Sequence, residues 1–140
     1  MDELLLSGTF EHTLDPKGRV TLPARYRGYF QDGAVLVRFP GGERCISVFR
    51  KDTWATFDAK HIEPLDVFEK PEAAWRSRAI YMNQDVVEPD GQGRVLLSAK
   101  QIKEVCLSGK VAIIGARTHL EIWDPDVLAE RMQQMDGGCA

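Results

Sequence analysis

Two short segments of this 140-residue chain carry the same residue types at the same spacing. Asp15-Pro16-Lys17-Gly18-Arg19-Val20 and Asp90-Gly91-Gln92-Gly93-Arg94-Val95 both read Asp-x-x-Gly-Arg-Val. The types define a chemistry of recognition. A guanidinium such as that of Arg19 or Arg94 forks onto a phosphate or onto the edge of a guanine. Lys17 suits a phosphate as a compact point charge. Gly18 and Gly93 let the backbone approach a ligand closely. Arg25 and Arg27 follow the first motif, and Lys100 and Lys103 follow the second. In the second copy Gln92 replaces Lys17; it can read a base edge but cannot neutralise a phosphate. A carboxylate repels phosphate, so Asp15 and Asp90 are expected to pair with Arg19 and Arg94 and to orient the loops together with the two glycines.

The elements that must position these residues are also duplicated. Leu22 answers Leu97, Ala24 answers Ala99 and Arg25 answers Lys100. Further on, Val35-Leu36-Val37 answers Val111-Ala112-Ile113, and Ile46-Ser47-Val48-Phe49 answers Leu120-Glu121-Ile122-Trp123. Four matches in one order, all about 75 residues apart, mark an internal repeat. Strands are expected over residues 8–14 and 83–88, each entering a glycine turn, and over 19–22 and 94–97. In the first of these, Phe10, His12 and Leu14 share one face and Thr9, Glu11 and Thr13 the other. Short helices follow, with Pro23 in a first turn and Ser98 and Gln101 at capping-box spacing. Strands at 34–39, 44–49, 110–115 and 119–123 complete the copies, and Asp124-Pro125 opens a last helix. Between the copies two connecting helices are expected, broken around Pro64 and Pro71, with Glu72 and Arg76 at ion-pair spacing and Trp75, Ala79 and Met82 as an apolar stripe. The domain reading is 7–54 for repeat one, 55–82 for a helical connector, 83–126 for repeat two and 127–140 for a C-terminal helix and tail.

Composition narrows the function classes. The chain is 44% hydrophobic and 28% charged, which fits a soluble domain with a real core. No run reaches the roughly 20 apolar residues of a membrane helix, and Met1-Asp2-Glu3 does not open a secretory signal. Cys45, Cys106 and Cys139 are odd in number and lack CxxC spacing, so no disulfide framework or zinc ribbon is expected, and a reducing cytoplasm fits. Cys45 and Cys106 read as small core residues, as do the aromatic residues Tyr26, Tyr29 and Phe30. His12, His61 and His119 have no metal-ligand spacing; Ser7, Ser47 and Ser108 sit in no nucleophile context; Gly18, Gly41 and Gly42 form no phosphate-binding fingerprint. No cofactor is expected. The net charge of −3 is unhelpful to a nucleic-acid binder, but residues 15–27 carry Lys17, Arg19, Arg25 and Arg27 against Asp15 alone. Local clustering is the stronger test. DNA binding is the favoured reading; the alternative is an enzyme or a protein-interaction module that uses the paired Asp-x-x-x-Arg motifs as a polar site.

The segment from Glu11 to Arg27, with the second Asp-x-x-Gly-Arg near residue 90 and the late Leu120-Glu121-Ile122-Trp123-Asp124, resembles the MraZ proteins, bacterial transcriptional regulators with two SpoVT/AbrB-type repeats. The resemblance covers nearly the whole chain. It implies an α+β fold in which two tandem repeats interlock as a pseudo-symmetric swapped-hairpin β-barrel with covering helices. It also implies a homo-oligomeric ring and a nucleoid-associated protein bound to double-stranded DNA. The DNA would be direct repeats in the promoter of its own cell-division and cell-wall operon. Lys17, Arg19, Arg25, Arg27, Arg94 and Lys100 would face that DNA.

Overall fold

A computed structural model describes residues 5–39, 42–64, 68 and 70–137. Cys139 and Gly41 lie outside the described residues, as does the end of the tail. The fold is mixed α+β, with two antiparallel sheets and four α-helices among the described residues. The first copy holds β1 (Thr9–Thr13), β2 (Arg19–Thr21), a 3-10 turn (Ala24–Tyr26), β3 (Ala34–Val37) and β4 (Ile46–Arg50). Next come α1 (Lys51–Phe57), a π-type turn (Asp58–Ile62) and α2 (Pro71–Met82). The second copy repeats the order with β5 (Gln84–Val87), β6 (Arg94–Leu96), α3 (Ala99–Glu104), β7 (Lys110–Gly115) and β8 (Leu120–Trp123), and α4 (Pro125–Met135) ends it.

The two copies exchange their first strands. The large sheet runs β1-β7-β8-β4-β3-β5, so β1 of copy one lies on β7 of copy two, and β5 of copy two lies on β3 of copy one. The order reads the same from either end once copies are swapped, which places a pseudo-two-fold axis between β8 and β4. The hydrogen-bonded order does not close on itself; β1 and β5 are its edges. The axis also passes through the second sheet, where β2 and β6 pair with Val20 opposite Val95.

Pairing fixes the repeat alignment more finely than residue identity does. His12 lies opposite Val111 and Val87 opposite Ala34, so the axis relates Ala34-Val35-Leu36 to Val111-Ala112-Ile113. The sequence match set that segment one residue away. Side-chain direction decides it, because a slip of one residue turns every side chain to the other face. Ala34, Leu36, Val111 and Ile113 all enter the main core with Val20, Val95, Leu22, Leu97, Phe30, Ile46, Val48, Leu120 and Ile122. On the outer face, Val35, Val37 and Phe49 pack beneath Trp54, Ile62 and Ile80, and Ala112 and Trp123 pack with Cys45 beneath Val127 and Leu128.

Local signals explain most element ends. β1 alternates between exposed and half-buried residues as its pattern requires, with Phe10 and His12 inward. Ser98 and Gln101 form a reciprocal capping box at the start of α3. The Asp124 carboxylate caps α4 by accepting from the Asp126 and Val127 amides, with Pro125 at the first position. Pro23 stands one place earlier than expected, flanking a 3-10 turn instead of starting a helix. Three expectations fail outright. In α2 the buried residues are Ala74 and Ile80, while Trp75 and Met82 are 66% and 68% exposed. The helix leads directly into β5, whose pairing with β3 fixes its rotation. Glu72 and Arg76 form no ion pair. Cys106 is exposed at φ 62, because it turns the chain out of α3 in the left-handed conformation that ends a helix.

Candidate nucleic-acid interface

The two Asp-x-x-Gly-Arg segments fold into the same loop. In the first, the Asp15 amide donates to the Arg19 carbonyl at 2.9 Å and the Gly18 amide to the Asp15 carbonyl at 3.0 Å. In the second, Asp90 and Arg94, and Gly93 and Asp90, make the same bonds at 2.9 Å each. Gly18 at φ 85 and Gly93 at φ 75 take the left-handed step that a tight turn followed by a bulge requires. Asp15 Oδ1 accepts from the Lys17 and Arg19 amides at 2.9 and 2.8 Å, and Oδ2 pairs with Arg19 Nε at 2.6 Å. Asp90 Oδ1 accepts from Gln92 and Arg94 at 2.9 and 3.0 Å, and Oδ2 pairs with Arg94 Nε at 2.7 Å. The Arg19 amide first, and then the Arg19 guanidinium and the Lys17 amide, hold the Asp15 carboxyl below its ordinary range, against the opposing effect of burial. The Arg94 amide leads the same effect at Asp90.

This clamp spends only Nε. The two terminal nitrogens of Arg19, and those of Arg94, take no hydrogen bond among the described residues, while the Asp fixes each guanidinium in place. Both arginines stand on the β2–β6 ribbon. Val20 and Val95 are fully buried beneath it, so strand alternation turns Arg19, Thr21, Arg94 and Leu96 to the outer face. Antiparallel register sets Arg19 across from Leu96 and Thr21 across from Arg94, with one loop at each end of the ribbon.

The loops are locked across the copies. The Leu22 amide donates to the Gly93 carbonyl at 2.9 Å, and the Leu97 amide donates to the Gly18 carbonyl at 2.8 Å. Arg27 lies along Gly93, where a Cβ would meet its Cδ at 2.6 Å, and its Nε donates to the Leu22 carbonyl at 3.2 Å. Ile102 is the counterpart over Gly18. The stem of Arg27 is therefore a packing element, which its charge concealed in the sequence.

The remaining basic residues divide unequally. Lys17 is exposed at the first loop tip. Arg25 is exposed with its guanidinium carbon 5.9 Å from the centre of the Phe10 ring. Neither has an acidic partner among the described residues. Lys100 Nζ lies 3.8 Å from Glu104 Oε1, and Glu104 also faces Arg38 at 3.6 Å. The structure thus keeps copy one more cationic than copy two at matching positions. Sequence reasoning did not place Thr21 and Leu96 on this face; the alternation that buries Val20 and Val95 is the signal that puts them there.

The other titratable groups serve the fold. Burial, then the charge of Arg27, lowers the His12 pKa. His119 stacks on Phe49 at 4.5 Å and meets Glu121 Oε2 at 3.2 Å. His61 packs against Phe57. Burial pushes the Cys45 thiol far up. Among the described residues no group of three His, Cys, Asp or Glu side chains is placed to hold a metal. No helix among them is long and apolar enough to cross a membrane.

The site is thus two guanidinium groups held at fixed positions on one face of a duplicated, strand-exchanged α+β fold. A family model described as "MraZ protein, putative antitoxin-like" matches residues 5–76 and 80–135. The transcriptional regulator MraZ of Thermomicrobium roseum is 34% identical over 85% of this chain and 81% of its own length. That of Thermoanaerobacter pseudethanolicus is 33% identical over 94% and 90%, and that of Cupriavidus taiwanensis 32% over 93% and 89%. The chain belongs to the MraZ family of transcriptional regulators, and with that membership the enzyme alternative falls away.

Proposed function

We propose that this regulator binds double-stranded DNA sequence-specifically through the outer face of the β2–β6 ribbon and its two loops. The observation that carries the reading is the matched pair of Asp–Arg clamps, which leave two oriented guanidinium forks on one surface. A two-stranded ribbon fits the B-DNA major groove, about 12 Å wide, and Arg reads guanine there through its terminal nitrogens. Lys17, Arg25 and the exposed head of Arg27 neutralise phosphates beside the first loop and Lys100 beside the second, while Arg19 and Arg94 present the two forks. Asp15, Gly18, Asp90 and Gly93 hold the loops in shape. The target is the set of direct repeats in the promoter of the protein's own cell-division and cell-wall operon. The protein acts in the cytoplasm, at the nucleoid, and without a cofactor.

The exchange of first strands supports a swapped-hairpin barrel, with the β2–β6 ribbon lying over the core that the large sheet wraps. We take 7–54 and 83–126 as the two repeats, 55–82 as the connector and 127–140 as the C-terminal helix and tail. Protomers assemble into a homo-oligomeric ring. One net-acidic protomer with one basic loop is a weak ligand, and several loops on one DNA raise the effective concentration. Two unlike exposed apolar patches, Trp75 and Met82 on α2 and Met132 and Met135 on α4, suit the head-to-tail contact that closes rings.

The test is fluorescence anisotropy with DNA from upstream of the protein's own coding sequence, titrated with salt, alongside sedimentation of the free protein. Tight, steeply salt-dependent binding by an oligomer is expected. Equal affinity for that DNA and for scrambled DNA would overturn the reading.

A further inference from the structure

We infer that Leu96 is a base-reading residue, whose side chain takes the 5-methyl group of a thymine in the major groove. The inference rests on the DNA-binding reading above and adds a specificity determinant to it. Leu96 is 57% exposed, although its neighbours Val95 and Leu97 are buried. Strand alternation gives the reason: with Val95 inward, residue 96 must point away from the core, and its leucine is no member of the cluster beneath. The face it shares holds Arg19 directly opposite and Arg94 two positions along its own strand, about 7 Å away. An apolar group between two guanidinium forks is unsuited to an apolar protein partner, which would bury the terminal N–H groups of both arginines without acceptors. The major groove offers that mixture: acceptor edges and phosphates for the arginines, and the thymine methyl as its one apolar feature.

The pseudo-two-fold axis supplies the second argument. It relates Leu96 to Thr21, which lies opposite Arg94 as Leu96 lies opposite Arg19. Both residues present methyl groups outward at the same place on the ribbon, and a threonine methyl is itself an ordinary partner of the thymine methyl. The larger, purely apolar Leu96 makes the copy-two side the more selective of the two. Gln92, at the tip of the adjacent loop, adds an uncharged donor and acceptor where copy one has Lys17. Copy two thus reads bases where copy one grips the backbone.

The experiment replaces each thymine of the footprinted operator, one at a time, by deoxyuridine, which deletes only the methyl group. Wild-type protein is expected to lose affinity by about four-fold at one or two positions, the factor for one buried methyl-sized group. Leu96→Ser should bind thymine and deoxyuridine equally at one such position. Leu96→Thr, which installs the copy-one residue and suits a strand, should keep part of the discrimination. Wild-type protein that binds every deoxyuridine operator as tightly as the parent would overturn the inference while leaving DNA binding intact. So would a folded Leu96→Ser that discriminates as wild type does. Failure of wild type to prefer its own upstream DNA would instead remove the DNA-binding reading, and this inference with it.

Discussion

Gly18 and Gly93 occupy the same step of the same loop, yet alanine should be tolerated very differently at the two sites. Both have positive φ, 85 and 75, where an L-residue costs roughly 1–2 kcal/mol. The lower entropy of the unfolded alanine chain returns about 0.4–1 kcal/mol at each site equally, so the neighbours set the difference. At Gly18 a Cβ would stand 2.9 Å from the Leu97 carbonyl oxygen, in a segment whose amide is bound to Gly18 at 2.8 Å. Backbone cannot rotate away, and weakening that bond adds about 1 kcal/mol, so Gly18→Ala should cost about 2 kcal/mol. At Gly93 the obstruction is the flexible, exposed stem of Arg27, which can swing aside and leave water to replace its bond to the Leu22 carbonyl. Gly93→Ala should cost only about 1 kcal/mol. At roughly 2–4 °C per kcal/mol for a domain of this size, calorimetry should show melting point losses near 4–8 °C and 2–4 °C. Equal losses, or a larger loss for Gly93→Ala, would refute the assignment of a backbone lock at one loop and a side-chain lock at the other.

Arg19→Ala should remain folded, since Arg19 is exposed on one side, and should bind operator DNA at least ten-fold more weakly in a gel-shift titration; wild-type affinity would remove Arg19 from the interface. Lys17→Ala should weaken binding to all sequences and flatten the log–log salt slope by about 0.9, the contribution of one phosphate, whereas Gln92→Ala should leave the slope unchanged. Equal slope losses would restore two equivalent loops. Both clamp carboxylates are held below their ordinary value of 3.8, so their contribution to loop order is complete above that pH and is lost as pH falls through the lower folded values. The Lys17 and Arg19 amide resonances should therefore hold their positions down to about pH 4 and move below it, and Asp15→Asn should remove that transition; movement centred above 3.8 would contradict the clamp.

The loops were legible because their determinants are local. Asp15, Gly18 and Arg19 satisfy one another within five residues, and the same holds for Asp90, Gly93 and Arg94. The capping box of Ser98 and the cap by Asp124 are local in the same sense. The strand exchange is not local: nothing in β1 itself says that Phe10 faces Ile113, and only the family resemblance anticipated it. The α2 stripe misled for a related reason. Trp75, Ala79 and Met82 have helical periodicity, but β5 sets the rotation of the helix from outside it. The packing of Arg27 and the exposure of Leu96 escaped because residue type pointed the wrong way. A charged side chain packs against Gly93, and an apolar one stands in solvent.

The relation between the two copies is an imperfect rotation, and the imperfections lie on the surface. A dimer of identical chains has no head or tail, and the DNA it reads is accordingly palindromic. Here the axis between Val20 and Val95 exchanges Lys17 with Gln92, Thr21 with Leu96 and Arg27 with Ile102. Joining both halves in one chain allowed each to change independently, and the ribbon acquired polarity. Laid on a duplex, such a protomer points one way, and turning it end for end produces a different complex. On the proposed reading, protomers joined head to tail would all point the same way, and their sites would repeat along one strand without inversion.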